Sequence, residues 1–323
     1  MNKYLKILTV IFCFCFLIAG CQRKPANSNS ISFKAGLIIP GAYNDGSWSQ
    51  RYFKGFERIS DELGADFNYY DNVSLDKAEF YIDDFAAKGC TMIVIAGAQF
   101  INIAMKVADK YPEISFVVIG PCTGNNRNLG GISFEFEKAA YLAGFAAGLK
   151  SETGTAGFVA GGLYPHILRQ IEWFTKGFKS AHPDGVVESV SIDTWFEGSK
   201  AVDAVLSLKS KGADVFVINA DSAGIAGYRY CEENKIYTIG WNDNLSDLFP
   251  DTVLVNMVPD IDAALLEASN RIIEGHWEGV LHRYTIERDI IRLEGYNRVY
   301  SRDELERIDD IYRLLMINDL SDF

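Results

Sequence analysis

Four short segments concentrate aromatic, amide, hydroxyl and carboxylate side chains. They are Gly41-Ala-Tyr-Asn44-Asp45-Gly-Ser-Trp48-Ser49-Gln50, Asp193-Thr-Trp195-Phe196-Glu197, Ala220-Asp-Ser222-Ala-Gly224 and Trp241-Asn242-Asp243-Asn244. Aromatic faces stack on flat groups, and amides and carboxylates accept hydrogen bonds from hydroxyls. Residues 220–224 form a small-residue turn into a helix, whose N–H groups can hold polar atoms. The combination suits a flat, hydroxylated, uncharged small molecule. Any one such turn could merely cap a helix, and any one tryptophan could fill a core. Four of them at equivalent strand ends argue for a joint site. The expected ligand contacts are Asn44, Asp45, Trp48, Ser49, Trp195, Phe196, Ser222, Gly224, Trp241, Asn242 and Asp243. Trp48 would stack from one side and Trp195 or Phe196 from the other.

The motifs of common catalysts are missing. No two of the 28 glycines are separated by a single residue, which excludes the G-x-G-x-x-G dinucleotide fingerprint. The phosphate-binding P-loop pattern and the G-x-S-x-G nucleophile elbow are also absent. His166, His182, His276 and His282 form no H-E-x-x-H pair. A binder without cofactor or metal is therefore favoured over an enzyme, and a hydrolase is the least favoured class. The net charge of −12 speaks against nucleic acid as a partner.

The segments sit where strands end. Ala35–Pro40, Phe67–Tyr70, Met92–Ala96, Phe116–Ile119 and Ile132–Phe136 are apolar runs of strand length. Between them, Ser47–Leu63 carries Trp48, Tyr52, Phe56, Ile59 and Leu63 at helical spacing, and Leu75–Lys88 and Ile101–Lys110 follow as helices. After a helix over Glu137–Lys150 a second series begins. Its strands are Ala156–Ala160, Val186–Ile192, Val215–Asn219, Thr238–Trp241 and Val253–Val258; its helices are Pro165–Ala181, Gly198–Lys211, Gly224–Asn234 and Ile261–Gly275. Alternation on this scale predicts doubly wound parallel sheets, which bind ligands outside the carboxyl ends of their strands. Two such series predict two lobes facing across a cleft. The expected boundaries are 33–136 plus about 259–300 for the first lobe and 137–258 for the second. An acidic helix over 301–323 has no assigned place.

The N-terminus is expected to be an address. Lys3 and Lys6 precede a 13-residue apolar run from Ile7 to Ala19, too short to span a bilayer but fit for a signal-peptide core. Leu17-Ile-Ala-Gly-Cys21 resembles the lipobox of bacterial lipoproteins, which implies cleavage before Cys21 and lipid on that cysteine. An ordinary signal peptide or a short anchor helix is the alternative; the polar tether over residues 21–32 favours the lipobox. Removing residues 1–20 takes two lysines and no acid, so 303 residues remain and the charge becomes −14. Cys90, Cys122 and Cys231 are expected as buried thiols without a disulfide, because Cys90 and Cys122 fall at opposite ends of neighbouring strands.

In their order along the chain, several segments are similar to the basic membrane protein family of bacterial lipoproteins, which includes purine-nucleoside receptors of ABC importers. They are Asn44-Asp-Gly-Ser-Trp-Ser-Gln50, Tyr141-Leu-Ala-Gly-Phe-Ala-Ala-Gly148, Gly157-Phe-Val-Ala-Gly-Gly162, Gly177-Phe178, Trp195-Phe-Glu197, Gly212-Ala-Asp-Val215 and Ile239-Gly-Trp-Asn242. The resemblance covers most of residues 35–275. It implies an α/β fold of the type I periplasmic-binding-protein clamp. It further implies a monomeric, lipid-anchored protein at the cell membrane, facing the periplasm or exterior. Such a protein would bind a nucleoside or similar ligand and deliver it to an ABC permease. A sensor signalling to a membrane partner, or a receptor for a sugar, is the alternative. Three positions depart from the family pattern. Gly120 and Asn242 stand where aspartates are expected, and Pro259 stands where a lysine is expected.

Overall fold

The computed structural model describes residues 33–319 and 322. The expected leader over residues 1–20, the lipidation at Cys21 and the tether to residue 32 lie outside the described residues. In chain order the elements are β1 (Lys34–Ile38), α1 (Trp48–Leu63), β2 (Asp66–Tyr70), α2 (Leu75–Ala87), β3 (Met92–Ala96), α3 (Ile101–Ala108), β4 (Ser115–Ile119), β5 (Leu129–Phe134) and α4 (Glu137–Lys150). They continue as β6 (Thr155–Ala160), α5 (Pro165–Ala181), β7 (Val186–Ser191), α6 (Gly198–Ser210), β8 (Val215–Asn219), α7 (Asp221–Glu233), β9 (Tyr237–Trp241), β10 (Val253–Pro259), α8 (Ile261–Ile273), β11 (Leu281–Tyr284), β12 (Ile291–Glu294) and α9 (Arg302–Ile317).

These strands form two six-stranded sheets, ordered β11-β5-β4-β3-β1-β2 and β12-β10-β9-β8-β6-β7. All pairs are parallel except β10 with β12. Every residue of β3 (MIVIA) and of β8 (VFVIN) is buried, as expected for central strands covered by helices on both faces. The alternation predicted from sequence is therefore observed, and the fold is the two-lobed α/β clamp. Several ends differ from expectation. β5 starts at Leu129, and pairing with β4 holds it there although Gly130 and Gly131 dilute its apolar signal. Helix α7 starts at Asp221, three residues before Gly224.

The C-terminal region divides between the sheets. β11 extends the first sheet beside β5, whereas β12 returns to the second beside β10. The stretch 259–300 therefore does not belong to the first lobe as one block, because Ile291–Glu294 completes the second sheet's ladder. Helix α9 packs on the second lobe. Ile308 and Leu315 bury against α4, and Lys138 Nζ donates to the carbonyls of Leu315 (2.6 Å) and Asn318 (2.9 Å). A capping box between Ser301 and Glu304 starts this helix.

Helix α4 explains one of the recurrent segments. All of Ala139–Gly148 is buried, so the helix has no solvent face. It crosses α5 at backbone contact. A Cβ on Gly144 would lie 2.1 Å from the Phe174 carbonyl oxygen, and one on Gly177 1.8 Å from that of Tyr141. The Y-L-A-G-F-A-A-G run is thus a packing device. Among the described residues no helix is long and apolar enough to cross a membrane. Cys90, Cys122 and Cys231 are buried thiols, and burial pushes Cys90 up to about 11 and Cys231 up to about 12.

Candidate functional site

The carboxyl ends of β1, β8, β9 and β10 meet at one cleft. Ser47, Trp48 and Arg51 line it from the first lobe, and Asn219, Asp221, Trp241, Asn242 and Asp243 from the second, with Pro259 and Ile261 at the crossing between them. Ile218, Ile225 and Leu245 supply apolar floor. The enclosed space is about 40 Å³. That is room for a few waters, at about 10–15 Å³ each, and far below the roughly 300 Å³ of a small-molecule pocket. The lobes are closed on each other, and a flat ligand requires them to part.

The first-lobe wall is built by local hydrogen bonds. The Asp45 carboxylate accepts the backbone N–H groups of Ser47 (2.9 Å), Ser49 (3.3 Å) and Gln50 (3.1 Å), satisfying donors that the start of α1 leaves free. Ser49 is buried, and its hydroxyl accepts from the Gly41 N–H at 3.0 Å. Asp45 and Ser49, both expected as ligand contacts, hold the loop, and Asn44 is exposed. What the braced loop presents to the cleft is Ser47, Trp48 and Arg51. Trp48 packs on Tyr52, ring centroids 4.7 Å apart. Arg51 Nη2 donates to the Pro259 carbonyl at 3.1 Å, and Nη1 lies 3.4 Å from Asp243 Oδ1. Nη1 makes no hydrogen bond, nor does the fully buried Tyr52 hydroxyl beside it.

The second-lobe wall is built by buried side chains from distant parts of the chain. Asn219 Nδ2 and Trp241 Nε1 both donate to Gln170 Oε1, at 3.0 and 3.3 Å, and Asn242 Nδ2 donates to Asn219 Oδ1 at 3.4 Å. Trp241 is 5% exposed, wedged between Phe158 and Phe174, so it supports the cleft mainly as core. Asn256 holds the following loop, accepting from the Leu245 N–H (2.8 Å) and donating to Ser246 Oγ (2.7 Å). Asp221 and Asn242 both take left-handed backbone, with φ of +45° and +65°. Non-glycine residues rarely adopt it, and it concentrates at functional sites.

Charged groups also meet across the cleft. Ser47 Oγ donates to Asp221 Oδ1 at 3.3 Å. Burial, and then the Asp45 charge, push the Asp221 carboxyl up to about 7, against the Ser47 hydrogen bond and the Arg51 charge. Burial also keeps the Tyr52 hydroxyl neutral well above its ordinary range.

Of the expected contacts, the cleft brings together Trp48, Trp241, Asn242 and Asp243. Ser222 instead donates to the Trp195 carbonyl at 2.9 Å, and Gly224 lies against the Ile218 carbonyl. The Trp195 ring covers Gly161 and stacks with Tyr164 at 6.4 Å, while Phe196 is 68% exposed. These two aromatics sit at the ends of β6 and β7, outside the closed cavity. Arg51 and Asp221 were not among the expected contacts. A signal for Arg51 exists in the sequence: a cation near the start of a helix opposes the helix dipole, so it needs a partner elsewhere. At the three departures, Gly120 has φ +145° and packs on Ala98, Asn242 joins the amide network, and Pro259 offers its carbonyl to Arg51. A guanidinium from α1 thus meets the main chain of the residue that stands where a lysine was expected.

The family described as "ABC transporter substrate-binding protein PnrA-like" matches residues 32–318. A transcriptional activator, med, of Bacillus subtilis is 25% identical over 302 residues, 93% of this chain and 93% of that protein. A purine-binding protein of Brucella abortus is 24% identical over 265 residues, 81% of this chain and 75% of that protein. Among solved structures, a transcriptional activator of the comK gene from Bacillus halodurans superposes with a TM-score of 0.80 at 22% identity, covering 88% of this chain and 99% of that one.

Proposed function

Because the chain belongs to the PnrA-like family of ABC transporter substrate-binding proteins, we propose that it is a lipid-anchored receptor that binds a nucleoside or similar flat, hydroxylated molecule for an importer. The observation that carries this reading is the two-sided cleft. Trp48 offers an aromatic face from one lobe, and Asn219, Asp221, Asn242 and Asp243 offer hydrogen-bonding groups from the other. Neutral nucleosides need both kinds of contact. A relative named as purine-binding supports the ligand class. The half-buried Trp195 and the exposed Phe196, beside the cleft, are available as a second stacking surface once the lobes part.

Titration calorimetry of the full-length protein in detergent with adenosine, guanosine, inosine, glucose and ribose tests the reading. We expect micromolar or tighter binding of at least one nucleoside. Trp48→Ala should weaken it about tenfold or more, since aromatic stacking contributes roughly 1–3 kcal/mol. Failure of all nucleosides to bind, or unchanged affinity in Trp48→Ala, removes the nucleoside assignment. Cys21→Ser should release the protein from the membrane fraction if the anchor is as proposed.

A second reading is a ligand sensor that signals to a membrane partner. One observation favours it: the relative named a transcriptional activator aligns over 93% of both chains. Loss of nucleoside uptake in a deletion strain supports import; unchanged uptake with altered transcription supports sensing.

A further inference from the structure

Two contacts close the cleft without any other molecule. Arg51 grips Asp243 and the Pro259 carbonyl, and Ser47 meets Asp221. The second contact is chemically odd. Asp221 is the first residue of α7 and sits at φ +45°, a conformation that glycine would adopt without strain. In that conformation its carboxyl reaches across to Ser47. The charged and titratable groups around it are Asp45, Arg51 and the Tyr52 hydroxyl from the first lobe, with Asp243 on its own side beside Arg51.

We propose that Asp221 is a clasp between the lobes: its carboxyl group holds the cleft shut against Ser47, and it is the point at which a ligand's hydrogen-bond donor takes over that contact. The inference rests on the reading of this cleft as the ligand site. A protonated carboxyl is well served by one hydroxyl neighbour. An ionised one seeks several donors, and here it meets a single long bond from Ser47 with Asp45 nearby. Ionisation therefore favours opening to water, or a ligand that brings a donor. The fully buried Tyr52 hydroxyl makes no hydrogen bond, and Arg51 Nη1 has only its 3.4 Å ion pair with Asp243, so this side of the cleft can take an acceptor. A ligand presenting a hydroxyl or amine donor beside an acceptor satisfies both sides at once. A bare carboxylate or phosphate would instead face Asp45, Asp221 and Asp243.

The proton linkage has a definite sign. The closed form holds Asp221 at about 7, whereas a hydrated aspartate titrates near about 4. Closing thus takes up a proton. Its contribution to closure is complete below about pH 4 and is lost as pH rises through about 7.

The test uses the full-length chain in detergent micelles with one fluorophore on each lobe, and reads the inter-lobe distance without ligand at about pH 5.5 and about pH 8. We expect the closed-to-open ratio of the wild type to fall on the order of tenfold between the two. Asp221→Asn, which mimics the protonated group, should stay closed at both. Asp221→Gly should be open-leaning at both. Adenosine at about pH 8 should close the wild type and close Asp221→Gly less. A wild-type distance independent of pH, or an Asp221→Asn protein that titrates like the wild type, overturns the clasp. Equal closure of Asp221→Gly and wild type by adenosine overturns its ligand role. A pH response that matches expectation while no nucleoside acts supports the clasp and counts against the nucleoside assignment.

Discussion

The two walls of the cleft are made by different means. The first-lobe wall, residues 41–51, is held largely by near neighbours, tied besides to residues 71 and 72 through the Tyr43 N–H and the Gly41 carbonyl. Asp45 satisfies three N–H groups within five residues of itself, and Ser49 ties back to Gly41. The second-lobe wall depends on groups far apart in sequence. Gln170 reaches Asn219 and Trp241, and Asn256 reaches Leu245, Ser246 and the Glu294 carbonyl. It also contains both left-handed non-glycine residues of the cleft, Asp221 and Asn242. A locally braced wall keeps its shape when the lobes part, because nothing that holds it crosses the cleft. A wall held by a buried network and by strained backbone can rearrange only if the network yields. On this contrast we take the first wall as the fixed platform and the second, with its left-handed Asp221 and Asn242, as the adjustable side.

Removing the network should have the largest effect. Asn256 is fully buried, and Gly240 is needed beside it: a Cβ there would lie 2.0 Å from Asn256 Oδ1. Asn256→Ala strands the Leu245 N–H and leaves Ser246 and the Glu294 carbonyl without their donor. We expect a loss of about 3 kcal/mol in chemical denaturation, from the desolvation cost of unpaired buried groups. A loss below about 1 kcal/mol would mean that the second wall does not depend on this residue, and the contrast would fail.

The first wall should respond less and recover more simply. Asp45→Ala removes the acceptor of the Ser47, Ser49 and Gln50 N–H groups and should cost about 1–2 kcal/mol. Asp45→Asn keeps one acceptor oxygen for the Ser47 and Gln50 N–H groups, gives up only the longer 3.3 Å bond from Ser49, and removes the charge that faces Asp221. Thermal unfolding should therefore show Asn restoring most of what Ala loses. If Asn is as damaging as Ala, the loop is held by charge and the local-brace account is wrong.

The same contrast explains what could be inferred from the sequence. The strands, the helices and the first wall follow from local rules: apolar runs such as Met92–Ala96, the helical spacing of Trp48, Tyr52 and Phe56, and the turn residues Asn44 and Asp45. The second wall obeys non-local packing. Trp241 belongs to the core because Phe158, Phe174 and Gln170 converge on it from separate elements, which no spacing within Trp241–Asn244 reveals. Ser222 and Gly224 lie on the same turn as Asp221, yet α7 begins at Asp221, which turns only that carboxyl across the cleft. The four residues of β12 carry nothing that selects the second sheet over the first. Arg51 is marked only as a cation misplaced in a helix's first turn, and its partners Asp243 and Pro259 come from the far lobe.

The smallest effect expected is also the most specific to the adjustable side. Asn242 holds φ +65° and gains only a long amide contact of 3.4 Å to Asn219. Glycine takes that backbone without strain but carries a larger entropy cost on folding. The two terms nearly offset, so Asn242→Gly should change stability by no more than about 0.5 kcal/mol, with strain relief setting the sign as a slight gain. At the same time it deletes an amide that lines the cleft. Ligand affinity should therefore fall severalfold while the unfolding midpoint stays within about 2 °C. If instead Asn242→Gly destabilises by 1–2 kcal/mol or more, then the Asn219 contact is structural. The second wall would then be as rigid as the first, and the closing motion would have to be assigned to the three chain crossings between the sheets.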